Sequence, residues 1–180
     1  MARLDPLPVE KLSPEQKALH DMLASTRNGR VSGPFAIWLH TPAVCDAANQ
    51  LTLSLRENGS INKRLYELIV LIVTRHWSAQ YAWSQHVGPA AAAGLSPDVI
   101  DAIRHRRKPD LKADDERLVY DAATELLEHK PLSQATYDRL LKQFGVEHTI
   151  EIVSIAGLYS MVSTVLNTFD VPTLSGENPF

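Results

Sequence analysis

Apolar residues recur at three- and four-residue spacing from one end of this chain to the other, the periodicity of helix rather than of strand. Start signals sit where each periodic stretch begins. Ser13-Pro14-Glu15-Gln16 combines a capping serine, a proline at the first helical position and a glutamine at capping-box distance. Thr41-Pro42 and Ser96-Pro97 repeat the signal, Gly94 and Gly145 read as stops, and Asn58-Gly59 reads as a turn. The pattern predicts helices over 13–26, 42–57, 61–76, 78–93, 96–105, 113–129, 133–143 and 147–168. Leu68 to Val73 is β-prone alone, but it continues a helical pattern begun at Ile61 and Leu65, so a buried helix is expected. No segment alternates between hairpin turns. The fold class is all-α.

The helix expected over 147–168 carries Ile150, Val153, Ile155, Leu158, Met161, Val162, Val165 and Leu166, with few charges past Glu151. Such all-round apolarity calls for burial on most sides, and a small domain seldom encloses a helix so fully. A subunit interface is the natural second surface, so a homo-oligomer is expected. The 180 residues suit one domain over 1–180, with an extended or disordered tail at 171–180, after Asp170.

Composition narrows the function classes. With 44% apolar residues, 22% charged residues and a net charge of −3, neither nucleic acid nor an acidic membrane is an expected partner. The basic run Arg104-His105-Arg106-Arg107-Lys108 reads as a solvated helix end or loop. Cys45 is the only cysteine, which excludes an intrachain disulfide and a multi-cysteine metal site. His20, His40, His105, His129 and His148 show no metal-ligand spacing, so no metal is expected. The N-terminus lacks a signal-peptide pattern, and the longest apolar run is far short of the ~20 residues of a membrane span. A cytoplasmic enzyme or binding protein fits.

The candidate chemistry lies between Glu67 and His86. On a helix starting near Ser78, positions Ala79, Ala82, Trp83 and His86 share one face. The two alanines leave a small apolar hollow beside the imidazole, with Trp83 as its wall. Glu67 lies on the preceding helix, and the short connection near Trp77-Ser78 folds it back against His86. A carboxylate beside an imidazole fixes the ring tautomer and equips the pair to move a proton. Residue types alone leave a second reading open, in which the two form a buried hydrogen bond that only fixes the helix crossing. Tyr81 and Gln85 lie about 100° off the His86 stripe and are second-tier candidates, Tyr81 for binding substrate. His76 points elsewhere on its helix; Tyr159 and Asn167 would contribute to a pocket only if the last helix lines it, and core or interface packing is the stronger reading for both.

Residues 61–103 carry a wider pattern. It runs Arg64-Leu-x-Glu67-Leu-x-Val-Leu-x-Val-x-Arg75-x-Trp77, then Gln80-Tyr81-x-Trp83-x-x-His86, then Gly94-Leu95-Ser96-x-x-x-Ile100. Upstream stand Gly33-Pro34-Phe35 and His40-Thr41-Pro42. Together these resemble the carboxymuconolactone decarboxylase family of the AhpD-like superfamily, over most of residues 30–105. The resemblance implies an AhpD-like helical fold built around an antiparallel helix pair, assembled as a trimer or hexamer. Eleven, two and three residues separate Glu67, Ala79, Ala82 and His86, the spacing at which peroxidase members carry Glu, Cys, Cys and His. Alanine at both cysteine positions argues against dithiol peroxidation. The function implied is a cofactor-free lyase using Glu67 and His86 on a small anionic, lactone-type substrate. Arg64 and Arg75 are the candidate carboxylate forks for it, each equally readable as a surface or interface salt-bridge residue. An alkylhydroperoxidase-like antioxidant protein and a non-catalytic binding protein are the competing readings.

Overall fold

The structure, a computed structural model, describes residues 2–128 and 131–180; the end of the helix expected over 113–129, with His129, lies outside them. Among these residues there are helices and no strands. A single 3₁₀ turn at Val9–Lys11 precedes α1 (Pro14–Ser25), α2 (Pro34–Trp38), α3 (Pro42–Arg56), α4 (Lys63–His76), α5 (Gln80–Ala92), α6 (Pro97–Arg104), α7 (Asp114–Leu127) and α8 (Gln134–Thr168). The all-α expectation holds. The start signals act as the local chemistry requires: Ser13 and Gln16 form a reciprocal capping box, and Ser96 caps α6 through the Val99 N–H. The 3₁₀ turn and the five-residue α2 are the elements the periodicity did not single out, both being too short to show a period.

Helix α4 is the centre of the molecule. Asn62 caps it through the Leu65 N–H, and every residue from Leu65 to Thr74 is buried. It packs against α5, α7 and α8, so apolar side chains are needed all round and the segment shows no polar face. This explains why Leu68 to Val73 looks like a strand in isolation. Each such buried aliphatic side chain contributes about 1.5–3 kcal/mol over leaving it in water.

The α4–α5 connection is three residues long and turns at Ser78, whose φ is +52°. Part of the basic run holds this corner. Arg106 donates to the Arg75 and His76 carbonyls at the end of α4 and to the Ser78 hydroxyl, while Arg75 donates to the Arg104 carbonyl. The run is thus partly a helix cap rather than wholly solvated.

Helix α8 breaks at Gly145, where φ is +75° and ψ is −178°, so the expected stop is a sharp bend between two helical halves. Ile152, Ile155, Leu158, Tyr159, Val162 and Leu166 face inward, while Val146 and Ile150 stay 65% and 60% exposed. The helix is long and apolar enough to cross a membrane by length and composition, and half of its most apolar window is buried inside this chain. The tail from Val171 has no helix. It returns over the domain, with Phe180 stacked on Arg75 at 4.2 Å and edge-on to Trp83 at 5.4 Å.

Candidate active site

Three helices bring four polar side chains into one line. Glu67 and Tyr66 come from α4, His86 from α5 and Tyr159 from α8. Glu67 is 4% exposed and His86 9%. The Glu67 Oε2 and His86 Nδ1 atoms are 2.7 Å apart. Because a carboxylate only accepts, Nδ1 carries a proton; in the neutral ring Nε2 is then an acceptor, and in the imidazolium it is a donor. The Tyr159 hydroxyl lies 3.2 Å from Nε2, and the Tyr66 hydroxyl lies 3.0 Å from that of Tyr159. Consistent donor order runs Tyr66 to Tyr159 to His86 to Glu67. The imidazole and the Tyr159 ring meet edge-on, at 5.0 Å and 89°. Burial pushes the Tyr66 hydroxyl up to about 12 and raises that of Tyr159 well above the ordinary phenol range, so both are neutral near pH 7.

The two middle members of the line, His86 and Tyr159, border a cavity of about 610 Å³. Leu158, Val162, Leu166 and Phe35 give it an apolar wall, and Arg27, Arg30 and Arg56 supply cations. Arg27 is built into place: its guanidinium donates to Asn49 Oδ1 at 2.8 Å and to Thr26 Oγ1 at 3.0 Å, and lies 4.2 Å over the Phe35 ring. Asn49, its main partner, is 2% exposed. Burial first, then the neighbouring charge of Arg56, lowers the Arg27 pKa. Apolar walls with a few convergent polar groups are the usual make-up of a small-molecule site.

Several of the candidate residues stand elsewhere. Arg64 does not reach the cavity, because it pairs with Asp115 at 2.9 Å and with Glu116, tying α4 to α7. Arg75 is taken up by the Arg104 carbonyl, Ser78 and Phe180. Helix α5 is also rolled relative to the expected face. Tyr81, Ala82, Gln85 and His86 border the cavity, whereas Ala79, Trp83 and Ala90 are fully buried in the core. Ala82 therefore leaves room at the site, Ala79 leaves room only inside the packing, and Trp83 walls nothing a ligand meets. Tyr81, off the expected stripe, has its hydroxyl on Ser32 Oγ at 2.9 Å. Asn167 donates to the Trp77 carbonyl. His76 lies at a separate, smaller cavity of about 230 Å³. Among the described residues no cluster of three or more His, Cys, Asp or Glu side chains forms a metal site.

Arg27, Arg30, Arg56 and Tyr159 were not among the predicted site residues. Only Arg27 carried a signal, an arginine just past the end of a helix followed by Asn28-Gly29; nothing local marked the rest.

No protein-family model and no curated protein matches this chain. Solved structures do. The debrominase Bmp8, in a cysteine-to-alanine variant complexed with 2,3,4-tribromopyrrole, is 16% identical and superposes with a TM-score of 0.76 over 98% of this chain and 95% of its own. A peroxidase-related protein from Ralstonia eutropha, described as an alkylhydroperoxidase AhpD core, is 18% identical with a TM-score of 0.78, over 96% of this chain and 92% of its own. A peroxidase-related protein from a Silicibacter species is 17% identical with a TM-score of 0.77, over 94% and 90%. The chain has the AhpD-like fold.

Proposed function

We propose that this chain is a cofactor-free acid–base enzyme of carboxymuconolactone decarboxylase type, acting on a small, anionic, unsaturated substrate. The observation that carries the reading is the hydrogen-bonded line from Glu67 through His86 to Tyr159, ending at a cavity with three arginines on its border. A pair that merely fixed a helix crossing would need no cavity and no cations beside it.

The chemistry follows from the lining. An anionic group of the substrate sits against Arg27 and Arg56, which replace Arg64 and Arg75 in that role. The scissile carboxylate then lies toward Leu158, Val162 and Leu166, where little solvation holds its charge. When its carbon–carbon bond breaks, carbon dioxide leaves and the electron pair spreads into the conjugated ring. The resulting carbanion takes a proton originating on the imidazolium of His86, with Glu67 as counter-ion, and water at the mouth restores that proton. The tribromopyrrole bound by the similarly folded debrominase is also a small unsaturated ring, a ligand shape this proposal shares. Dithiol peroxidation has no residues to run on here. Cys45, the only thiol, is fully buried and pushed up to about 11 by that burial.

Arg27→Gln tests the reading. One charge-assisted contact contributes about 1.5–3 kcal/mol, so the variant is expected to raise KM for a butenolide carboxylate by about tenfold or more with kcat little changed. Arg64→Gln should leave KM where it is. Equal KM in Arg27→Gln and wild type would remove the cavity from the mechanism.

The exposed line of Val146, Ile150, Val153 and Met161 on α8 supports assembly of copies of this chain through that helix. Sedimentation velocity at micromolar concentration is expected to show species larger than one chain; a lone monomer would exclude it.

A further inference from the structure

The hydroxyl of Tyr159 stands where a substrate would otherwise meet the imidazole. Nε2 is the nitrogen that the Glu67 bond leaves available, and Tyr159 holds it at 3.2 Å. His86 and Tyr159 both border the cavity, 9% and 5% exposed, so what separates them is that the Nε2 atom is already engaged by the Tyr159 hydroxyl. A proton passing between Nε2 and a ligand must go through that hydroxyl or displace it. Displacement is disfavoured, because the hydroxyl is held from behind by Tyr66, whose ring meets that of Tyr159 at 85°. Tyr66 itself is 1% exposed and does not border the cavity. For packing alone, two phenylalanines would fill these positions without burying hydroxyls, each of which costs about 1–3 kcal/mol when unpartnered. The pair of phenols is therefore arranged for something other than packing.

We infer that Tyr159 is the catalytic residue that exchanges the proton with the ligand, that His86 drives it from behind, and that Tyr66 is a positioning residue for the Tyr159 hydroxyl. The inference rests on the acid–base reading above and deepens it. In the protonating direction the Tyr159 O–H bond breaks as a carbon–hydrogen bond forms on the carbanion. At the same time the Nε2 proton of the imidazolium passes to the phenol oxygen, so Tyr159 ends neutral and His86 ends as the neutral imidazole bonded to Glu67. The reverse direction takes a proton from carbon onto the Tyr159 oxygen as the phenol proton moves to Nε2. No cofactor or oxidant enters the balance.

The reverse direction gives an assay that needs no decarboxylation. A butenolide bearing an acetate side chain is incubated with the protein in D₂O, and deuterium entering its acidic ring C–H position is followed by NMR. Wild type is expected to catalyse the exchange. Tyr159→Phe keeps the ring and is expected to lower the saturated rate by about a hundredfold, with the half-saturating concentration unchanged. Tyr66→Phe is expected to lower it by about tenfold, again with unchanged half-saturation, a split that a loss of packing would not produce. In Tyr159→Phe the ¹⁵N signal of His86 Nε2 should move while Nδ1 stays, showing the Glu67 bond intact and the fold retained. Exchange at the wild-type rate in Tyr159→Phe, or an Nε2 signal that does not move, overturns the inference and leaves His86 acting directly. Absence of exchange in the wild type as well would overturn this inference and the acid–base reading together.

Discussion

Replacing His86 by Ala should lower turnover by about 10²–10⁴-fold, the usual contribution of a positioned acid–base group. The effect is expected on kcat rather than on binding, because Arg27 and the apolar wall remain in place. A stability loss will accompany it. Glu67, 4% exposed, loses the hydrogen bond from His86, and an unsatisfied buried acceptor costs about 1–3 kcal/mol. Activity must therefore be compared under conditions where circular dichroism shows the variant folded. Because the vacated space adjoins the cavity, free imidazole added to the variant is expected to restore part of the rate. Undiminished turnover in folded His86→Ala would reduce the Glu67–His86 bond to a helix clamp.

Gly33→Ala is expected to damage fold and site at once. Gly33 has φ +60° and ψ −136°, a region that side-chain-bearing residues avoid at a cost of about 1–3 kcal/mol. An added Cβ would also stand 2.3 Å from Cε1 and 2.7 Å from Cζ of Tyr81. The ring must move, and the space open to it is the cavity it already borders. The hydrogen bond from Tyr81 to Ser32 would break with it. A total loss of about 2–4 kcal/mol follows, lowering Tm by roughly 5–15 °C for a chain of this size. Affinity for small carboxylates should fall in parallel. A Tm within a degree of wild type would show that this backbone is not held as described.

The two variants probe parts of the site that differed in how far they were readable. Glu67 and His86 stand 19 positions apart on consecutive helices joined by a short turn, so geometry along the chain was enough to bring them face to face. Arg64 and Arg75 were drawn toward the site by the same nearness in sequence. What that argument lacked was their competitors: Asp115 and Glu116 wait more than 50 positions downstream for Arg64, and the Arg104 carbonyl waits for Arg75. The cations that reach the cavity come instead from the loop after α1 and the end of α3. Tyr159 was equally hidden, since a tyrosine amid Leu158, Met161 and Val162 reads as core until a partner for its hydroxyl is seen.

The sequence by itself determined the helices, the caps at Ser13 and Ser96, the break at Gly145 and the meeting of Glu67 with His86. These rest on interactions spanning three or four residues, or on one short turn, and such contacts are written in local spacing. The tertiary structure alone decided the roll of α5, which turns Ala82 and His86 to the cavity and buries Ala79 and Trp83. It also decided that Tyr159 completes the hydrogen-bonded line and that Arg27 and Arg56 border the same cavity. A helix with apolar residues on several sides, like α5, can present any of them inward. Which one it presents is chosen by the shapes of α4, α8 and the returning tail, and no period along the chain records that choice.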